Sequence, residues 1–226
     1  MAAPNGTVAV LFDIDGTLIT TGGAGAVAWR RAFDGLYGIP ADIGEFTDAG
    51  MTDPEVGRLT FTSVIGREPT DEELARVMAE RLVFLPEAVA KSKRYRVLPG
   101  VVRQLERLTR QRYLLGLTTG GVEEAARIKL DRAGLNRFFS FGGYGSDSAD
   151  RTELTKRALV RAAGKHGAEL EPDRCAVVGD TPLDIAAAHG AGAVAVGVAS
   201  GHFSVEELRA AGADHVVASL EEELPL

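Results

Sequence analysis

Val8-Ala-Val-Leu-Phe12, followed at once by Asp13-Ile-Asp15-Gly-Thr-Leu18, is the stretch on which the fold turns. A short, unbroken apolar run has the pattern of a strand buried on both faces of a parallel sheet. Similar runs recur at Tyr113–Leu117, Cys175–Gly179 and Ala193–Val198, more weakly at His215–Val217, with Phe138–Phe141 a further candidate. Between them lie amphipathic stretches of helical length: Val101–Gln111, Glu123–Ala133, Glu153–His166, Leu183–Ala188 and Val205–Ala211. Glycine follows several closely (Gly134, Gly167, Gly190, Gly212), as at helix stops. Strand and helix in alternation predict an α/β fold, a Rossmann-like doubly wound parallel sheet.

The segment from Ile19 to Arg96 breaks the alternation. It offers helical patterns at Ala24–Tyr37, Pro54–Ile65 and Asp71–Val89 with no convincing strand between them. Thr70, with Glu73 three residues later, opens the last of these as a capping box. The expectation is a discontinuous α/β core (1–18 and 97–226) with an inserted all-helical cap (19–96). Trp29 and Phe33, one helical turn apart, read as the core of that insert. Thr20-Thr-Gly-Gly-Ala-Gly25 reads as a hinge or flap, since glycine permits the backbone changes that closure requires. Which of Thr52, Arg58 and Arg67 faces a ligand is not legible, and Asp53 before Pro54 reads as a helix start.

The 226 residues, 45% hydrophobic and 25% charged, have the proportions of a water-soluble globular protein. A net charge of −7 disfavours nucleic acid, and no basic tract interleaved with aromatics reverses this locally. No apolar run approaches the ~18 residues of a spanning helix, so no membrane partner is expected. The single cysteine, Cys175, reads as a small core residue and fits a reducing, cytoplasmic setting. His166, His189, His202 and His215 show no paired ligand spacing and read as structural or surface groups. Monomer and homodimer are equally compatible with the sequence.

Ligands of open parallel sheets sit at the carboxyl ends of the strands. There the sequence places Asp13 and Asp15 after the first run, Thr118-Thr-Gly-Gly121 after the second, and Gly179-Asp-Thr-Pro-Leu-Asp184 after the Cys175 run. Taken singly, Asp13-x-Asp15-Gly is compatible with a turn, and Thr119 and Asp180 with helix caps. Together, four carboxylates converging in one crevice repel one another unless cations intervene. Clustered hard oxygen donors suit Mg²⁺. Thr119, Gly120 and Gly121 open a helix whose unpaired N–H groups attract phosphate. Carboxylates, a divalent ion and an anion cradle point to phosphoryl chemistry. The Gly-x-x-x-x-Gly-Lys-Ser/Thr loop of nucleoside triphosphatases is missing.

Asp13-x-Asp15-Gly-Thr-Leu, a threonine closing a second strand and Gly179-Asp180-x-x-x-Asp184 resemble the motifs of the haloacid dehalogenase-like superfamily, and the helical insertion is similar to that family's cap. Gly116-Leu-Thr-Thr-Gly-Gly121, Ala126-Arg-Ile-Lys-Leu130 and Gly179-Asp-Thr-Pro182 most resemble phosphoglycolate phosphatase-like members. The resemblance implies a Mg²⁺-dependent phosphomonoester hydrolase acting on a small phosphorylated metabolite, phosphoglycolate among the candidates. Asp13 would be the nucleophile that forms an aspartyl-phosphate. Asp15 would be the acid and base, its carbonyl also binding the metal. Asp180 would be the other direct ligand and Asp184 a ligand through water. Thr119 and its neighbouring amides would hold the phosphoryl oxygens.

The chain departs from the family pattern at its cation. A lysine is usual just before the helix leading to the last aspartate motif; Arg151 stands there. Lys129, reaching in from the preceding helix, is preferred because a compact ammonium suits a point contact between carboxylate and phosphate. A β-phosphoglucomutase-like sugar phosphomutase shares every catalytic residue, and a pyrophosphatase or nucleotidase fits the same scaffold. A dehalogenase would need neither Asp15 nor a metal. A non-enzymatic binding module is the remaining class.

Overall fold

The computed structural model describes residues 6–46 and 48–226. In its main sheet β1 (Ala9–Phe12) is central, with β4 (Leu114–Thr119) and β5 (Gly142–Tyr144) on one side. On the other side lie β6 (Cys175–Gly179), β7 (Val194–Val198) and β8 (His215–Val217). Every pairing in it is parallel. The chain builds outward from β1 to β4 and β5, then crosses back to β6, so the strand order reverses around β1. The register aligns Phe12 with Leu117 and with Val178, which sets Asp13 level with the ends of both neighbours.

Alternation along β1 divides the core into two layers, because successive side chains point to opposite faces of a sheet. Val10 and Phe12 pack with Val101, Leu105 and Leu108 of α4 (Val101–Arg110) and Ala126 and Leu130 of α5 (Glu123–Asp131). Ala9 and Leu11 face the opposite layer. There they join Ala158 and Ala162 of α6 (Arg151–His166), Ile185 and Ala188 of α7 (Pro182–Gly190) and Leu208 of α8 (Val205–Ala210). All four β1 side chains are fully buried, each large one contributing about 1.5–3 kcal/mol of transfer free energy. That is why this run shows no polar alternation.

The expected strand at Phe138–Phe141 is corrected. Leu135–Phe138 is a 3-10 turn, and the ladder to β4 runs through Gly142–Tyr144. Phe139 and Phe141 are buried as packing groups on opposite faces, and of the expected run Phe141 alone reaches the ladder, its carbonyl accepting from Leu117 N–H at 3.1 Å. Gly142 and Gly143 supply a backbone that fits closely against the Tyr144 ring and α6.

Between β1 and β4 the chain forms α1 (Ala24–Tyr37), α2 (Asp53–Ile65) and α3 (Asp71–Lys91). A two-stranded antiparallel ribbon joins the ends of this insertion: β2 (Ile19–Thr20) with β3 (Arg96–Val97). The Thr70–Glu73 capping box is present, with reciprocal bonds of 2.8 and 3.2 Å. Trp29 and Phe33 are buried with Val56, Phe61 and Val77, as the sequence predicts. A second cluster joins Ala24, Ala28, Leu85 and Val89 to Val122 and Ala125, so the insert is docked on the start of α5.

Candidate active site

Three strand ends meet where the strand order reverses. Asp13 follows β1, its N–H donating to Val178 O at 2.9 Å. Thr119 ends β4, and Gly120-Gly121 leads into α5. Asp180 follows β6, and Asp184 lies in the first turn of α7. Asp13, Thr119, Asp180 and Asp184 are all buried, at 6%, 3%, 3% and 2% exposure. These residues line or back a pocket of about 380 Å³, whose wall also includes Asp15, Gly121, Lys129 and Arg151.

Asp13, Asp180 and Asp184 bring carboxylate oxygens within 4.8 Å of one another. Each is held by a different device. Asp184 accepts from the Thr181 hydroxyl at 2.7 Å and from its N–H at 3.1 Å, closing a capping box at the start of α7. Asp180 accepts from the Thr17 hydroxyl at 3.0 Å. Gly16, at φ +89°, and Gly201 leave room for it: a Cβ at either position would overlap the Asp180 carboxylate. Ser200 donates to Gly16 O at 2.7 Å and ties the loop after β7 to the first motif.

The electrostatics are unbalanced. Burial raises the Asp13 carboxyl well above the usual carboxylate range, repulsion from Asp184 and Asp180 adds to it, and Arg151 opposes. Asp180 is pushed up to about 7, by burial first and then by Asp184, against the hydrogen bond from Thr17. One guanidinium faces three buried carboxylates. Anionic oxygen donors in this number and spacing fit a hard divalent cation such as Mg²⁺.

Two cations are present where one was expected. Arg151, at the start of α6, donates to Asp13 Oδ1 at 3.2 Å, to the Asp184 carboxylate and to Gly50 O at 2.6 Å. Lys129 pairs with the Asp15 carboxylate and is itself held from behind, its carbonyl accepting from the Tyr95 hydroxyl at 2.8 Å. The preferred lysine therefore serves Asp15, while the arginine serves Asp13. A rigid fork reaches two carboxylates and a carbonyl at once, which a point-charge ammonium does less well. The Asp15 side chain stands apart from the triad and is 44% exposed.

On the cradle side, Gly121 N–H donates to Thr119 Oγ1 at 3.3 Å. A model of the haloacid dehalogenase-like hydrolases matches residues 7–192. The chain belongs to that family. The probable phosphatase IndB of Dickeya dadantii is 28% identical over 94% of this chain and 90% of its own length. A phosphoglycolate phosphatase of Rhodospirillum rubrum is 31% identical over 91% and 84%. A hydrolase structure from Pseudomonas syringae superposes with a TM-score of 0.68 at 28% identity, covering 95% of this chain and 94% of that one.

Further residues shape the pocket, and most carry no signal of their own in the sequence. Thr17, part of the first motif, orients Asp180. Asp53, a helix start in the sequence, reaches the residues that open α5, and its partner Arg81 lies in no motif. Arg96 and His202 line the pocket from the ribbon and from the loop after β7. Only the Asp53-Pro54 pair carried a local signal; the other contacts join positions far apart in the chain. Among the described residues no helix is long and apolar enough to cross a membrane.

Proposed function

We propose that the protein is a Mg²⁺-dependent phosphomonoester hydrolase working on a small phosphorylated metabolite. The observation that carries this is the buried Asp13 between the α5 N-terminus and the Asp180–Asp184 pair. Asp13 would attack phosphorus while the ester P–O bond breaks, leaving an aspartyl-phosphate. Asp15 gives its proton to the departing oxygen. It then takes a proton from the water that attacks phosphorus, which frees Asp13 and inorganic phosphate. Lys129 keeps Asp15 at the pocket wall, and Arg151 orients Asp13 and Asp184.

Thr119 and the amides that follow it would bind the phosphoryl oxygens, where transition-state charge accumulates. Asp13, the Asp15 carbonyl, Asp180 and, through water, Asp184 would hold the divalent ion, which supplies countercharge to carboxylates and phosphate. The helical insert acts as a cap that closes the pocket against water. Its volume of about 380 Å³ is near the lower end of the range for ligand pockets and admits a compact metabolite. A cytoplasmic location, consistent with the one buried cysteine, belongs to the same reading.

Phosphoglycolate is the first substrate to test, since a relative covering most of both chains bears that name. A phosphate-release screen over phosphorylated metabolites with Mg²⁺ should show hydrolysis of small monoesters, silenced in Asp13→Asn. Isomerised sugar phosphate without free phosphate would identify a mutase instead, and no reaction on any ester would overturn the phosphatase.

A further inference from the structure

The insert touches the α5 cradle through a buried ion pair for which the chemistry above has no use. The residue preceding α5 is Val122, whose side chain has no atom that can cap a helix. The cap comes from elsewhere in the chain. Asp53 Oδ2, from the first residue of α2, accepts from Val122 N–H at 2.8 Å. A first-turn carboxylate ordinarily favours its own helix; this one serves another. The Asp53 N–H also donates to Gly120 O at 2.8 Å. Gly120 is pressed so closely by the insert that a Cβ there would lie 2.5 Å from Met51 O and 2.9 Å from Thr52 Cα.

Arg81 of α3 completes the arrangement. Its Nη1 donates to the same Asp53 Oδ2 at 2.6 Å, with its side chain only 2% exposed. The guanidinium lies 4.8 Å from the Trp29 ring centroid. A bare carboxylate at this helix end would repel a phosphate seeking the same N-terminal field, and the guanidinium neutralises it.

We propose that Asp53 and Arg81 are positioning residues of the anion cradle, a clasp by which the docked insert holds Gly120-Gly121-Val122 in phosphate-binding form. This rests on the phosphatase reading above. The cradle is then complete only while the insert is seated, so phosphate affinity and closure are one linked equilibrium. Trp29, the only tryptophan in the sequence, lies beside the clasp and reports on it.

The test measures inorganic phosphate on the Mg²⁺-loaded enzyme in two ways: as a competitive inhibitor of p-nitrophenyl phosphate hydrolysis, and through Trp29 emission. Asp53→Ala should raise the phosphate Ki and the ester KM together by about tenfold or more, with a smaller change in kcat. Arg81→Met should do at least as much, because the carboxylate remains unpaired beside the ligand. The double variant Asp53→Asn/Arg81→Met should recover phosphate affinity to within roughly threefold of wild type. Asn Oδ1 still accepts from Val122 N–H there, and no charge is left uncompensated.

A phosphate Ki within about twofold of wild type in Asp53→Ala overturns the proposal. So does a double variant no better than Arg81→Met alone. Should Asp53→Ala fail to fold, the comparison of Arg81→Met with the double variant decides by itself. A wild-type protein that neither binds phosphate nor hydrolyses the ester would instead overturn the phosphatase reading.

Discussion

Two buried guanidinium groups, Arg81 behind the pocket-lining Asp53 and Arg151 in the pocket wall, keep different electrostatic company. In the insert, Arg81 meets the single carboxylate of Asp53, and the charges match one to one. In the core, Arg151 meets Asp13 and Asp184 with Asp180 close by, and the carboxylates outnumber it three to one. A buried pair broken on one side leaves an uncompensated charge at considerable cost, so a matched pair can persist as a fixture. A surplus of buried carboxylate instead raises proton affinity, as at Asp13 and Asp180, or recruits a cation. On the function proposed above, the matched pair would serve positioning and the mismatched group chemistry.

The harshest way to break that contrast is Asp13→Asn. It removes the proposed nucleophile and one surplus charge while keeping the side chain's shape. Turnover of a chromogenic phosphate ester should fall by a factor on the order of 10⁴ or more. Circular dichroism should be unchanged, and the metal-free protein should melt no lower than wild type, since the lost charge was one that burial disfavours. Appreciable turnover would remove Asp13 from the mechanism and leave the surplus unexplained.

Arg151→Met comes next. It takes away the one positive side chain that, among the described residues, pairs with the triad, so kcat should drop by roughly 10²–10³-fold. At pH 8 without Mg²⁺ the stability loss should be about 3 kcal/mol. For a chain of this length that is a fall in melting temperature of roughly 6–12 °C. Mg²⁺ should recover part of the stability without recovering the rate. Equal losses with and without the metal would mean that Arg151 acts as a simple fixture, like Arg81.

A milder perturbation is pH. Asp180 titrates near 7 in the folded protein against an ordinary value of 3.8. A folded-state value that is raised means folding favours the protonated form. Its stabilising contribution is whole below about pH 4 and is lost as pH rises towards and through 7. Mg²⁺ needs the deprotonated form, so at pH 5.5 it competes with a proton and at pH 8 it does not. The thermal shift produced by saturating Mg²⁺ should be larger at pH 8 by about 2 kcal/mol, roughly 4–8 °C. The difference should shrink in Asp180→Asn. Identical shifts at the two pH values would detach the surplus carboxylates from metal binding.

The mismatched side of the contrast was far more legible in the sequence than the matched side. β1, β6 and β8 stand where apolar runs end in Asp13, at Gly179 and at Val217, because a strand buried on both faces leaves an unmistakable local pattern. The carboxylates sit immediately after such runs, so finding the strands also found Asp13, Asp15 and Asp180. Asp53 and Arg81 are separated by 28 residues on two helices, and neither helix shows a periodicity that distinguishes them from solvated charges. Phe138–Phe141 departs from the expected strand for a related reason: apolar content reports burial, whereas the pairing with β4 runs through Gly142–Tyr144. Local chemistry was readable, and contacts fixed only by packing were not.

Lys129→Met probes the contrast from its weakest side. The Lys129 side chain is nearly buried at 9% exposure, whereas the Asp15 side chain it meets is 44% exposed, so solvent screens the pair. Removing the ammonium should alter stability by no more than about 1 kcal/mol. Its expected effect is on the position of Asp15, the proposed acid and base. kcat should therefore fall by about tenfold with KM for a small ester little changed. Esters with good leaving groups should suffer less than alkyl phosphates, because they need less protonation as they depart. An equal loss on both ester classes would show that Lys129 contacts the phosphoryl group directly. The core would then hold two cations for its carboxylate surplus, and its imbalance relative to the Asp53–Arg81 pair would be smaller than the geometry implies.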